Sequence, residues 1–461
     1  MHINRREALS FLAGLAVSPL HLHAGNEPTL RLGTFSAEVT IPIGHPCMGG
    51  GISPAKKIED PLFANGFVLT GADKPLVYVA VDWCEIRNDA YDRWRKAIAE
   101  AVGTEPVRVL VSAIHQHDAP VADLTAQKLL EEYKCQGAIC NMEFHEKAVQ
   151  RVAKAAKECL ANAKPVTHIG TGQAKVETVA SNRRYIDESG KVRYDRMSRA
   201  VDPKIRAAED GTIDPFLKTL SLWNGEQPLA ALSAYATHPM SYYGSGGVSA
   251  DFPGLARKRR QADDPKVLQI YLSGCSGNVT AGKYNDGNPA NRSVLADRLY
   301  SAMKEAWKAT KKQPLEKITL RNVPLQLEAR SGEGFSADQL LNRLKNDLKP
   351  FGQCLAALGL SWRKRVESGQ PIDLPVIDFG PAQFAILPAE AYVEFQLFAQ
   401  KVRPDVFSMV AGYGECGPGY IPIERAWKEN DGNLNDWCWV NPGSQAKMEN
   451  AMTMALRNAE S

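Results

Sequence analysis

The chain has 461 residues and a net charge of +3, with 44% hydrophobic and 23% charged residues. That length implies one large domain or two intimate ones, and the composition is that of a soluble globular protein. So small a charge supplies no basic face for nucleic acid, and the densest basic run, Arg257–Arg260, reads as a solvated helix face.

The first signal along the chain is an export peptide. Arg5 and Arg6 precede an apolar run from Leu9 to Leu20, which ends in His21–Gly25. Paired arginines, a short apolar stretch and a small-residue exit predict a twin-arginine-type signal over residues 1–25. The mature chain, residues 26–461, is then periplasmic or extracellular. Gly14 and Pro19 interrupt the run, which is too short to span a bilayer. Leu76–Asp82 predicts a buried strand, Asp89–Val102 an amphipathic helix, and Val107–Ser112 a second strand. Phe144–Ala163 carries a long helical period. Leu229–Tyr235, Val267–Leu272 and Phe384–Leu387 are further apolar strands that run into polar or glycine-rich sequence. The charged, helical stretch 328–370 reads as a cap or insertion, and Gln445–Asn458 as the last helix. This alternation predicts an α/β class, mixed β-sheets flanked by helices, with the site at strand ends. Nine cysteines include no Cys-x-x-Cys zinc pattern, and Cys135 and Cys140 are close enough in sequence to bridge in an oxidising compartment.

The strongest local signal for chemistry is Ile114-His115-Gln116-His117-Asp118-Ala119-Pro120, directly after a strand. Two histidines at i and i+2 can aim at one point once the chain leaves strand pleating. Neutral imidazole is a favoured zinc ligand and also a proton carrier near neutral pH. Metallo-β-lactamase-like hydrolases and amidohydrolase barrels also use His-x-His, but neither's further histidine and lysine pattern follows here. His238 ends another apolar strand. Glu390 follows Leu387-Pro388-Ala389, and Tyr420 sits in Gly417-Pro418-Gly419-Tyr420-Ile421-Pro422. Taken singly, each has a structural explanation: a satisfied core histidine, a helix cap, a packed turn.

In order, these segments resemble the neutral (alkaline, non-lysosomal) ceramidase family. The resemblance runs from an opening strand at Ala37–Pro42, through His115–Pro120, Asn182-Arg183-Arg184 and His238, to Leu387-Pro388-Ala389-Glu390 and Tyr420-Ile421-Pro422. It implies a zinc ion held by His115, His238, Glu390 and Tyr420. His117 is then the acid/base group, Arg183 orients or polarises the substrate, and the substrate is ceramide or a related lipid-like amide. Transient contact with a membrane surface is part of that implication. Three departures stand out. Gly277-Asn278-Val279-Thr280 replaces a family segment bearing a catalytic serine, so Thr280 is the corresponding hydroxyl, with Ser273 and Ser276 nearby. Asp436-Trp437-Cys438-Trp439 takes the place of a later Tyr-Glu pair. The family's C-terminal immunoglobulin-like module is absent from the sequence. Trp437, Trp439, Tyr242 and Tyr243 are expected to line an apolar pocket. Two rival readings keep the same metal centre: a weakly catalytic envelope lipid- or glycan-binding protein, and a zinc hydrolase of another ester or amide.

Overall fold

The run Leu76-Val77-Tyr78-Val79-Ala80-Val81 is apolar at every position because both of its faces are covered. In the computed structural model, which describes residues 30–71 and 73–457, Leu76, Tyr78 and Ala80 join one hydrophobic core. Val77, Val79 and Val81 join another. Successive strand side chains point to opposite faces, so a continuous apolar run marks a strand buried on both. The predicted export signal lies outside the described residues.

Three sheets are built in sequence. The first has the order β4-β3-β2-β1, with β1 at Arg31–Glu38, β2 at Phe63–Thr70, β3 at Leu76–Val81 and β4 at Val109–Ala113. The second has the order β8-β7-β6-β5, with β5 at His168–Lys175, β6 at Phe216–Asn224, β7 at Gln227–Tyr235 and β8 at Leu268–Ser273. Short strands Lys164–Pro165 and Lys311–Pro314 close the outer edges of these two sheets beside β1 and β5. The third follows chain order: β9 at Thr319–Leu325, β10 at Ile372–Asp378, β11 at Ala382–Ile386 and β12 at Phe407–Ala411. Each sheet is antiparallel except for one pair at an edge, β3/β4, β7/β8 and β11/β12. Phe67 and Tyr78, Leu220 and Ile270, and Phe384 and Met409 meet in one core, so the three sheets pack on one another.

Helices cover the outer faces. Helices α1 (Asn88–Val102) and α2 (Met142–Glu158) pack on the first sheet, and α3 (Asp251–Asp263) and α4 (Asn291–Lys308) on the second. The stretch predicted as a cap forms the helix pair α5 (Ala337–Asn346) and α6 (Pro350–Glu367). Helices α7 (Val393–Val402) and α8 (Ser444–Leu456) lie on the third sheet. The architecture is the expected α/β arrangement of mixed sheets flanked by helices.

Three local expectations change. The opening strand lies earlier than Ala37–Pro42, at Arg31–Glu38; beyond it Val39 N–H still donates to the Leu62 carbonyl, but the Leu62 N–H turns to the Thr40 hydroxyl and the ladder ends. The helix expected over Phe144–Ala163 stops at Glu158 and tightens into a 3₁₀ turn. Cys135 and Cys140 do not bridge: the first thiol donates to the Leu344 carbonyl and the second to that of Asp123, and all nine cysteines are thiols.

Candidate metal centre and catalytic cavity

The carboxyl ends of the three parallel pairs point to one place. His115 lies just beyond β4, His238 beyond β7, Ser276 beyond β8, Glu390 beyond β11 and Tyr413 beyond β12. Ends of parallel strands leave backbone groups free and send loops outward, which is where α/β proteins build sites. The chain turns sharply there. His115, Ala389 and Tyr413 take left-handed backbone conformations with φ of 68°, 53° and 56°, each costing about 1–2 kcal/mol for a residue with a Cβ. Tight loop contacts hold these turns, such as His115 N–H to the Trp83 carbonyl and Tyr413 N–H to that of Ala389. Gly277 passes so close that a Cβ there would sit 2.1 Å from the Glu390 carbonyl oxygen.

The hydrogen bonds orient the rings. His115 Nδ1 is 3.1 Å from the Cys84 carbonyl and His238 Nδ1 is 2.6 Å from that of Ser276. Carbonyls only accept, so this network assigns the proton to Nδ1 in both rings and leaves each Nε2 a lone pair. Those two atoms lie 3.3 and 3.1 Å from Glu390 Oε2, itself an acceptor. The three ligand atoms fall within 4.8 Å of one another, all on buried residues. Tyr420 joins through backbone pairing, because Glu390 and Tyr420 are register partners in a two-residue parallel ladder. Arg183 spans the group, with Nη1 donating to Tyr420 Oη at 2.7 Å and Nη2 at 3.1 Å from His238 Nε2.

Charge follows from this packing. Burial opposes ionisation of Glu390, but the His115 and His238 rings outweigh it and hold the carboxyl well below the usual carboxylate range. Burial works against charging His115, and Glu390 reverses that, so its pKa is raised. His238 is lowered to about 4 by burial, with the Arg183 charge adding to it. His117 is pushed well below its ordinary value by burial and then by the other two histidines. Three polar atoms remain buried without a partner: His115 Nε2, His117 Nδ1 and Arg183 Nε. The acceptors of His115, His238 and Glu390 crowded on one buried point suit a cation, so the donor set fits a metal ion, whereas Arg183 Nε carries an N–H and calls for an acceptor. Cys84, His115 and His117 form a second trio, but it would require the proton of a thiol that burial pushes well up.

A cavity of about 300 Å³ opens over the group, lined by His115, His117, Arg183, Glu390 and Tyr420. Its apolar wall comes from Met48, Phe351, Leu355 and Trp437. Phe351 and Leu355, on the cap helix α6, were not anticipated from sequence. Neither was Glu85, a fully buried carboxylate 3.9 Å from His115 Nδ1. It accepts from Trp437 Nε1 and from Arg87 Nη1, so it ties the pocket wall to the back of the His115 ring.

Other expected residues lie elsewhere. Thr280 does not line the cavity; its buried hydroxyl donates to the Met197 carbonyl at 2.8 Å and accepts from Gly282 N–H. Asn278 caps helix α7 by accepting from Val393 N–H. Ser273 Oγ donates to the Ile114 carbonyl, and Ser276 Oγ bonds Tyr413 Oη. Of the four aromatic residues, Trp437 and Tyr243 line the cavity. Trp439 does not, being buried with the Arg87 guanidinium over its ring, and the Tyr242 ring is covered by Arg292.

No family model matches the chain, and no curated protein matches it by sequence. Solved structures do match. A ceramidase complexed with C2 superposes with a TM-score of 0.67 at 16% identity, covering 93% of this chain and 75% of that one. Neutral ceramidase from Pseudomonas aeruginosa gives 0.65 at 17% identity, covering 94% and 74%. Identity this low carries the fold and not the activity. By fold, the chain is neutral ceramidase-like.

Proposed function

We propose that the protein is an exported zinc amidohydrolase that cleaves the N-acyl bond of ceramide or a related lipid-like amide. The observation that carries this reading is the meeting of His115 Nε2, His238 Nε2 and the Glu390 carboxylate at one buried point beside an apolar-walled cavity. Two imidazoles, a carboxylate and the Tyr420 phenol oxygen are a zinc-type donor set. When bound, zinc would supply a Lewis acid for the acyl carbonyl and lower the pKa of a water to about 7. His117, kept neutral by burial and facing the cavity, takes the proton of the attacking water and returns it to the leaving amine. Arg183 keeps its charge at any working pH and lines the same cavity, so it orients the acyl oxygen and answers the negative charge that develops on it. Water adds to the carbonyl carbon, the C–N bond breaks, and a fatty acid and an amine leave. Met48, Phe351, Leu355 and Trp437 receive hydrocarbon beside the reacting bond.

Metal analysis of the purified protein should give about one zinc per chain, and His115→Ala with His238→Ala should abolish it. Unchanged zinc in that double variant would sink the assignment. Wild type should release fatty acid from a short-chain fluorescent ceramide, with His117→Ala slower by about a hundredfold or more. Retained zinc with background release from both would leave the lipid-binding reading ahead.

A further inference from the structure

The Glu390–Tyr420 ladder has a counterpart behind His115. Glu85 and Ile86 pair with Val121 and Ala122 in a second two-residue parallel ladder, and the Glu85 side chain is fully buried. A buried carboxylate is costly unless its oxygens are answered, and here each oxygen has a separate task. Oε2 accepts from Arg87 Nη1 at 2.7 Å, an ion pair inside the protein. Oε1 accepts from Trp437 Nε1 at 3.3 Å and stands 3.9 Å from His115 Nδ1. The Nδ1 proton goes to the Cys84 carbonyl, so Glu85 acts on that ring by charge and not by a bond of its own.

Trp437 meets the metal centre at a second point. Its carbonyl accepts from Tyr420 N–H at 2.8 Å, while its ring lines the cavity and stacks on Phe351. One residue of the hydrocarbon wall is therefore tied by its backbone to Tyr420 and by its indole to the carboxylate behind His115. Carboxylates behind a metal-bound imidazole fix the ring and strengthen its hold on the metal. Glu85 also answers Arg87, so its removal would leave a buried cation less well paired beside a site for another cation.

We propose that Glu85 is a positioning residue shared by the metal and the acyl chain: its charge sits behind His115 and strengthens that ligand, and its hydrogen bond fixes the Trp437 ring against which the chain packs. The acyl half rests on the hydrolytic reading above. The metal half needs only that the site binds zinc.

The test compares wild type with Glu85→Gln and Trp437→Phe. Zinc affinity is measured by competition with a chelator, and KM on zinc-saturated protein with N-acetyl and N-octanoyl sphingosine. Glu85→Gln should bind zinc about ten- to a hundredfold more weakly. Trp437→Phe keeps the carboxylate and an apolar ring but lacks the N–H, so its zinc affinity should match wild type. Both variants should raise KM for the octanoyl amide about tenfold relative to the acetyl amide, the effect of losing one hydrogen bond to a charged group. A wall that is merely apolar would leave this ratio unmoved in Trp437→Phe. Arg87 keeps the Gly417 carbonyl and Asp123 as partners, so Glu85→Gln should fold. If it does not, Glu85→Asp keeps the charge beside Arg87 while drawing it back from His115 and Trp437, and the same losses are expected. Folded Glu85→Gln with wild-type zinc affinity would overturn the metal half, and an unchanged KM ratio in both variants the acyl half. Wild type that binds zinc but cleaves neither amide would fail the hydrolytic reading instead, and the zinc comparison would then decide the proposal alone.

Discussion

Two of the clefts among the described residues have opposite internal chemistry. A groove of about 660 Å³ between β1, β2 and α3 is twice the size of the histidine cavity, at about 300 Å³. Yet none of the groove's lining side chains holds an orphaned buried polar atom. Arg257 grips Asp82 through both guanidinium nitrogens at 2.6 Å, Ser36 donates to Asn65, Ser249 donates to Asp60, and Gln261 answers the Gln269 N–H. In the smaller cavity His115 Nε2, His117 Nδ1 and Arg183 Nε have no partner. Volume alone therefore ranks the two clefts wrongly. A site is distinguished by unanswered polar groups that converge, whereas a groove whose polar groups answer one another is surface relief.

The largest effect separating them is on stability. Arg257→Met leaves the fully buried Asp82 carboxylate without its cation, which costs about 3–5 kcal/mol. The unfolding midpoint should fall accordingly while the folded variant keeps wild-type zinc content. His238→Ala should do the reverse, losing zinc with little change in the metal-free midpoint. If folded Arg257→Met protein also lost its zinc, the two regions would be coupled and the comparison would fail.

Orphaned atoms also need convergence to mean anything, and His145 tests that condition. Its Nε2 is buried without a partner, but it stands among Trp83, Trp94 and Phe144 and belongs to neither cluster of ligand groups among the described residues. Burial lowers its pKa from 6.5 to about 4. The folded protein keeps the ring neutral, whereas the unfolded chain takes up a proton below 6.5. Stability from this group is thus intact above pH 6.5 and is lost as pH falls toward 4, by roughly 3 kcal/mol in total. His145→Phe removes the proton and keeps an aromatic ring. It should hold its unfolding midpoint better than wild type below pH 6, with zinc binding and hydrolysis unchanged near neutral pH. Equal acid sensitivity in the two proteins would refute the assignment of a neutral buried His145.

Much of this was legible in the sequence for a physical reason: buried strands write continuous apolar runs, and β3, β4, β7, β8 and β11 all did. Placing His115, His238 and Glu390 at strand ends followed from those runs. Their convergence did not, because no local pattern records that three separate sheets pack on one core. The left-handed turn at His115 was equally silent, since histidine carries no signature for it. Glu85 lies far from Trp437 in sequence, so their hydrogen bond was invisible. Phe351 and Leu355 fall within the charged, helical stretch 328–370 read as a cap or insertion, where nothing local marks them as cavity wall.

Thr280, the hydroxyl that the resemblance set in place of a serine, sets the finest test of the comparison. Its hydroxyl is fully answered, donating to Met197 and accepting from Gly282, in the manner of the groove residues rather than the cavity residues. Thr280→Val keeps the shape and removes both bonds, which should cost about 1–2 kcal/mol. The Met197 carbonyl it releases belongs to a segment whose side chain lines the cavity, so activity should fall modestly, by less than about tenfold. Thr280→Ser restores the hydroxyl and should restore both stability and rate. A nucleophile behaves differently: its removal typically costs a thousandfold or more in kcat with little change in stability. Unfolding midpoints and kcat measured on the same two variants therefore separate the roles. A collapse of kcat in Thr280→Val at an unchanged midpoint would move Thr280 into the catalytic machinery and show that an answered hydroxyl can still be chemical.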